Sequence, residues 1–436
     1  MPPQIDRRRF LGSVLLPAAT VAAAPALRPH RARAALERLA DRAGSPREVA
    51  RDESFWHTVG EAFTVDREHI NFNNGGVSPA PAVVQESLAR HLAFANRSPA
   101  HNMWRVQLPE REAVRADLAD TFGCDAEEIA ITRNASEGLQ ICQFGLDLEP
   151  GQAVLTTDQD YPRMIATWKQ RARREGILLH QLRVPDPALG DDEFVRRFVR
   201  AMDRYRPRLV LMCHVINLTG RILPVKAVVA AARERGIELI VDGAHAFGHF
   251  PFRQADLDCD YYATSLHKWL FAPFGTGMLY VRRSKIAGLW PLMAAQVSQR
   301  DDIRKFEEIG THPVGLSLAI GEALEFHRLL DPERKLARLI HLRDRWVTRL
   351  TVHDRVRIHT PLEPARSAGI ANFRIEGVEA GALASHLWRV HRILVCGIGH
   401  RDCTGLRVSP SVYSTLEEVD RFCEAVEGVL TSGLPS

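Results

Sequence analysis

The sequence predicts an α/β protein: a mostly parallel, seven-stranded sheet with helices on both faces, followed by a smaller C-terminal α/β domain. Three observations carry this. Between Glu128 and Val281, short apolar runs alternate with stretches whose apolar residues recur at helical spacing. That is the pattern of strands buried on both faces and joined by crossover helices. After Leu318 the alternation gives way to long helical stretches with few strands. The chemically suggestive residues fall mostly at the carboxyl ends of the predicted strands, where ligands bind in sheets of this kind.

Taken in order, residues 35–68 are charged and partly helical, an arm expected to pack on the body. The organised part begins at His69–Pro79, a short strand ending in a glycine turn, and Ala82–Asn96 has helical spacing. Strands are predicted at Glu128–Thr132, Ala153–Thr156, Ile177–Val184, Leu209–Cys213, Ile237–Val241, Tyr261–Ser265 and Gly277–Val281. Helices fall between them at Ser136–Leu146, Met164–Glu175, Phe194–Tyr205 and Val225–Arg235. The large domain is placed at 69–318 and the small one at 319–436. In the latter a helical stretch runs to Thr351, with Pro332 opening its second part. Short strands at Val356–His359, Ile370–Ile375, Ile393–Val395 and Gly405–Val408 and helices at Ala380–Val390 and Leu416–Leu430 complete it.

Composition narrows the class. An apolar fraction of 45% and a charged fraction of 25% are those of a soluble globular protein. The seven cysteines show no C-x-x-C pair and no zinc spacing, which argues against a disulfide framework or a structural metal. Residues 1–34 read separately. Asp6-Arg-Arg-Arg-Phe-Leu11 precedes an alanine-rich apolar run, Val14–Leu27, too short and too broken by prolines to span a bilayer. The segment resembles a twin-arginine export signal, with Asp6 where such signals often carry Ser or Thr. It implies a periplasmic or exported protein without stable membrane anchoring, cleaved after Ala24, Ala26 or Ala34. Those residues hold six arginines against one acid, so their removal takes the formal charge from +4 to −1. No basic stripe interleaved with aromatics points to nucleic acid.

The chemistry centres on Lys268, at the junction of the strand Tyr261–Ser265 and a Gly/Pro-rich turn, and on Asp242, ending the preceding strand. An amine and a carboxylate at neighbouring strand ends are what pyridoxal phosphate needs. One carries the aldehyde as a Schiff base; the other keeps the ring nitrogen protonated. The loop Ile131–Gly138 leads from a strand into a helix, whose first N–H groups and dipole suit a phosphate. Small Ala135 admits the phosphate and the Ser136 hydroxyl can donate to it, although Asn134 or Ser136 also reads as an ordinary N-cap.

With these loops in order, the chain resembles the class V aminotransferase family, fold-type I pyridoxal-phosphate enzymes that include cysteine desulfurases and isopenicillin N epimerases. The resemblance rests on Asn71-Phe-Asn-Asn-Gly-Gly, Thr132-Arg-Asn-Ala-Ser-Glu-Gly, His214–Gly220, Val241-Asp-Gly-Ala-His, Ser265-Leu-His-Lys, Glu308-Ile-Gly-Thr and Leu406-Arg-Val-Ser. It implies Lys268 as the Schiff-base lysine and Asp242 as partner of the pyridine nitrogen. His245 falls near the phenolic oxygen, Asn217 matches an asparagine that reaches the cofactor oxygen or the substrate carboxylate, and Tyr161 falls where a ring stacks on the cofactor. Ser265 and His267 join Ala135 and Ser136 around the phosphate. Thr311 matches a residue that reaches the phosphate of a neighbouring subunit, which implies a homodimer. Arg407 matches the arginine for the substrate α-carboxylate, with Asn74 as a helper.

The shared first chemistry of the family is transfer of an amino acid onto the cofactor and loss of its Cα proton to Lys268. Desulfuration needs a mobile cysteine in the run Cys396–Cys403; Cys403 could serve only after a register shift, and an arginine that desulfurases carry is missing near Cys396. The Asp-Gly-Ala-His, Asp-Tyr-Pro and Asn-Asn-Gly-Gly forms look most like the isopenicillin N epimerase branch, which implies an epimerase with a second acid/base. Candidates are His101, His312 and Tyr161. The alternatives are a β-eliminating C–S lyase, an aminotransferase or a non-catalytic pyridoxal-phosphate-binding protein.

Overall fold

The computed structural model describes residues 43–185, 189–363 and 365–434, so the export-signal reading of residues 1–34 lies outside them. The described part of the arm holds two short helices, α1 (Pro46–Val49) and α2 (Glu53–Glu61), capped by Ser45 and Asp52. Phe55, Trp56 and Val59 pack with Trp269, Phe271, Phe326, Leu339 and Tyr413 in one apolar cluster. These helices therefore lie on the body, against the turn that follows Lys268.

Strand β1 (Ile70–Asn71) and helices α3 (Ala82–Arg97) and α4 (Leu108–Phe122) lead into the main sheet. There β2 (Ile129–Thr132), α5 (Ala135–Gly145), β3 (Ala153–Thr157), α6 (Pro162–Glu175), β4 (Leu178–Leu182), α7 (Asp191–Tyr205), β5 (Leu209–Cys213), α8 (Val225–Arg233), β6 (Glu238–Asp242), β7 (Tyr261–Ser265) and β8 (Gly277–Val281) alternate much as predicted. The seven strands lie in the order β2–β8–β7–β6–β5–β3–β4. Strand β8 runs antiparallel to both neighbours and the remaining contacts are parallel.

Every residue of β2, β3, β5, β7 and β8 is buried. The period of two sends Met212, Val241, Tyr262 and Met278 to one face and Leu211, Ile240, Ala263 and Leu279 to the other. Burying each such side chain contributes roughly 1.5–3 kcal/mol. Edge strand β4 is largely open to solvent. At the end of β6 the chain passes so close to β7 that a Cβ on Gly243 would sit 1.9 Å from the Tyr262 ring.

Helices α9 (Ile320–Leu330) and α10 (Pro332–Leu350) meet at Asp331, whose φ of 65° and side-chain bond to Glu333 N–H break one helix and cap the next. Pro332 opens the second helix, as expected. Strands β9 (Val356–Ile358), β10 (Ala371–Ile375), β12 (Cys396–Ile398) and β13 (Gly405–Val408) form an antiparallel sheet in the order β12–β13–β10–β9. Helices α10, α11 (Ala380–His391) and α12 (Leu416–Ser432) cover it through Trp346, Leu387 and Phe422.

One expectation needs correction. The first strand of the body, β1, pairs in parallel with β11 (Ile393–Leu394), and Ile70 and Phe72 sit in the second core. The opening of the chain thus belongs with the C-terminal elements. The run Cys396–Cys403, where desulfuration would need a mobile cysteine, begins as strand β12, with Cys396 opposite Arg407. Among the described residues no helix is long and apolar enough to cross a membrane.

Candidate active site

The carboxyl ends of β2, β3, β5, β6 and β7 converge on one cavity of about 200 Å³. Ala135, Ser136, Tyr161, Asn217, Asp242, His245, Ser265, His267 and Lys268 all line it. Loops more than 130 residues apart in sequence are thus brought together by the topology of a parallel sheet.

The turn bearing Lys268 is fixed from behind. Trp269 is fully buried and stacks on His249, with ring centroids 3.7 Å apart and planes 2° apart. Nδ1 of His249 donates to His245 O at 2.8 Å and Nε2 accepts from Gly369 N–H at 3.0 Å. That pattern uses both ring nitrogens of a neutral imidazole, and burial pushes the His249 pKa down to about 3. Lys335, buried on α10, donates from Nζ to Trp269 O. Phe271 holds a φ of 63°, a region a bulky side chain enters only when the surroundings require it.

Lys268 itself is half-buried, with Nζ 3.2 Å from Nε2 of His245. Burial lowers the lysine pKa to about 8, against the opposing pull of Asp242. Burial, with Lys268 and Arg407 nearby, holds His245 well below the ordinary imidazole range. A neutral His245 accepts from Lys268 through Nε2 and carries its proton on Nδ1, which has no partner among the described residues. Asp242 takes the Ala244 N–H on Oδ1 at 3.0 Å, and burial pushes its pKa up to about 6.

At the other end of the cavity, α5 begins. Asn134 caps it by accepting from Glu137 N–H at 3.0 Å, so the capping reading of this loop holds for Asn134. The Ala135 N–H donates to Ser265 Oγ at 3.0 Å, which draws the β7 end onto the helix start. His267 is tied through Nδ1 to Thr276 O at 3.2 Å. This rim presents hydroxyls, an imidazole and the positive end of a helix, a donor set suited to a phosphate.

Arg407 reaches the site from β13. Its guanidinium donates to Asn217 O at 3.0 Å and to Asn73 Oδ1 at 2.8 Å, leaving a buried Nε without a partner among the described residues. Asn74, expected as its helper, does not join it. Its amide donates to Asn71 O and Ser409 O, and its oxygen accepts from the Tyr413 hydroxyl at 2.6 Å. Asn74 is a buried brace; its neighbour Asn73 touches the arginine. Thr311 and His312 stand away from the cavity, lining a separate surface depression with Trp104 and Arg304, and Thr311 is exposed. His101, also exposed, is not at the cavity, so Tyr161 alone of the three acid/base candidates lines it. Cys403 is buried, its Sγ 3.6 Å from His400 Nδ1.

Sequence reasoning passed over Asn73, His249 and Asp160. The last is a buried carboxylate immediately before Tyr161 that collects four hydrogen bonds. A signal was present for His249, four residues after His245, a spacing at which a turn brings side chain and backbone together.

Residues 70–422 match the family model for aminotransferase class-V. Isopenicillin N epimerase of Streptomyces clavuligerus is 29% identical over 391 residues, covering 86% of this chain and 98% of that protein. Cysteine desulfurase of Haloferax volcanii is 28% identical over 384 residues, covering 82% and 88%. Among solved structures, the apo cysteine desulfurase of Thermococcus onnurineus NA1 superposes with a TM-score of 0.76 at 24% identity, covering 86% of this chain and 97% of that one. A C-DES mutant with glycine covalently linked to its PLP cofactor gives 0.73 at 23% identity, covering 84% and 97%. At those identities the structural likeness establishes the fold.

Proposed function

Because this chain belongs to the aminotransferase class-V family, we propose that it is a pyridoxal-phosphate enzyme that removes the Cα proton of an amino acid and returns it on the opposite face, as an epimerase. The observation that carries the reading is the meeting of Lys268, Asp242 and the α5 N-terminus around one cavity, with Arg407 hydrogen-bonded to Asn217 of its wall. The match to an isopenicillin N epimerase over 98% of its length supports the finer choice.

The residues fit the cofactor. Lys268 would hold its aldehyde carbon, and Asp242 its ring nitrogen. His245 and Asn217, each with a buried polar atom unpartnered among the described residues, would face its ring oxygen. Tyr161 would cover the ring, and Ala135, Ser136, Ser265 and His267 would take the phosphate. Bound there, pyridoxal phosphate supplies an electron sink that acidifies the Cα–H bond.

The chain's own residues do the rest. Arg407, held by Asn73 and Asn217, offers a guanidinium to the substrate carboxylate and so fixes which bond faces Lys268. Lys268, with a pKa near 8, is poised to take the proton and give it back. Hydrogen bonding to neutral His245 orients its Nζ. Inversion needs a donor on the other face, and Tyr161, which lines the cavity, is the candidate for it. Retention of Cys403 in the interior argues against desulfuration through that thiol.

The test is incubation of the reconstituted protein with single D- and L-amino acids in deuterated water. Inversion with deuterium at Cα supports the proposal. Release of a keto acid with loss of a β-substituent makes the enzyme a lyase, and formation of a keto acid with its amino group transferred makes it an aminotransferase. A homodimer that places Thr311 at the neighbouring cavity, and export directed by residues 1–34, belong to the same proposal. They are tested by sedimentation and by following a fusion of residues 1–34 to a reporter.

A further inference from the structure

Asp160 lies outside every role assigned so far, yet it is 1% exposed and the most heavily hydrogen-bonded carboxylate beside the cavity. Its Oδ2 accepts from Thr156 Oγ1 at 2.6 Å, from Thr157 N–H at 2.6 Å and from Thr157 Oγ1 at 2.9 Å. Its Oδ1 accepts from Cys213 N–H at 2.7 Å. Three of these donors belong to the end of β3 and the fourth to the end of β5.

The position of those donors is informative. Strands β3 and β5 pair only at Val154↔Leu209 and Leu155↔Val210, although both run further toward the cavity. Beyond that point the Thr157 and Cys213 N–H groups both donate to the Asp160 carboxylate. Asp160 bridges them, taking over from the ladder where the cavity opens. The next residue is Tyr161, and Cys213 leads into the Val215–Asn217 wall; all four line the cavity. An amide cannot replace this carboxylate cleanly, since each of its oxygens faces a backbone N–H, Cys213 on Oδ1 and Thr157 on Oδ2, and an Asn nitrogen in either place would oppose a donor.

We propose that Asp160 is a positioning residue of the site, whose carboxylate locks the Tyr161 turn to the β5 end and so sets the gap into which a planar cofactor ring fits. The inference rests on the cofactor reading above. It has an electrostatic side too. The titratable groups facing Asp160 are Cys213 on β5 and Asp242 on β6, and Lys268 stands beyond Asp242. The negative charge of Asp160 adds to the burial that raises both Asp242 and Cys213.

The experiment titrates cofactor-free protein with pyridoxal phosphate, reading bound cofactor by its visible absorbance, for wild type, Asp160→Asn, Asp160→Glu and Thr156→Val. The Asn variant is expected to bind about tenfold or more weakly, the scale of a lost hydrogen bond to a charged group. The acid midpoint of its bound-cofactor spectrum should move to lower pH, which a merely structural loss would not produce. The Glu variant keeps the charge, and should restore the midpoint while binding weakly. If the Asn variant does not fold, Thr156→Val, which removes one donor and adds none, is expected to bind several-fold more weakly with its melting temperature nearly kept. Folded variants that bind as wild type does, with an unmoved midpoint, overturn the inference alone. A wild type that binds no pyridoxal phosphate overturns the cofactor reading and this inference with it.

Discussion

Asp242→Asn separates what this carboxylate does for function from what it does to stability. Burial raises its pKa from 3.8 to about 6. A carboxyl whose folded pKa is raised binds its proton more tightly in the folded state than in the unfolded state. The cost of ionising it is therefore absent below about pH 4 and complete above about pH 6. At about 1.4 kcal/mol per pH unit, that cost is roughly 3 kcal/mol at neutral pH. The Asn variant keeps the acceptor for Ala244 N–H and drops the buried charge. That figure already includes the attraction to Lys268, so the variant gains about 3 kcal/mol in the cofactor-free protein. Thermal unfolding of cofactor-free wild type and variant from pH 4 to pH 8 is the assay. The variant should melt higher at pH 7.5 and equal to wild type at pH 4, while losing turnover. A variant that melts lower than wild type at pH 7.5 would refute the claim that burial strains this carboxylate.

Other substitutions probe the remaining parts. Arg407→Lys keeps the charge but loses the planar fork that spans Asn217 and Asn73; KM for the amino acid should rise about tenfold or more with a smaller change in kcat, measured by steady-state kinetics. Gly243→Ala places a Cβ 1.9 Å from the Tyr262 ring, and should lower the melting temperature sharply or abolish soluble expression. Cys403→Ala, at a buried thiol that does not line the cavity, should leave turnover within about twofold of wild type. Turnover itself should rise with pH toward about 8 as the freed Lys268 amine gives up its proton and becomes a competent base, read from the pH profile of kcat.

How much of this was legible in the sequence follows from the physics of each element. The seven strands of the main sheet are runs of four or five residues, apolar except for β4 and separated by helices or turns, long enough to register in the sequence. Lys268 and Asp242 could be placed because cofactor chemistry demands those residue types at strand ends, Ala135 from the helix start, and Ser265 from the family resemblance. Strands β1 and β12, of two and three residues, carry too few positions to show any period, and Gly397 depresses β propensity in the latter. Asn73 and Asn74 are chemically identical neighbours in one turn. Only the fold reveals that the Asn74 amide is spent on Ser409 and Tyr413, while Asn73 faces Arg407. Asp160 was hidden because its partners are backbone and hydroxyl donors that the chain path alone brings together.

The central claim is that Lys268 is the residue that takes pyridoxal phosphate. The most direct measurement is reduction of the reconstituted protein with borohydride, then proteolysis and mass spectrometry to locate the pyridoxyl group. The account predicts the label on the peptide containing Lys268, and none in Lys268→Ala. Label on Lys335, Lys305 or another lysine, or no label at saturating cofactor, would contradict it.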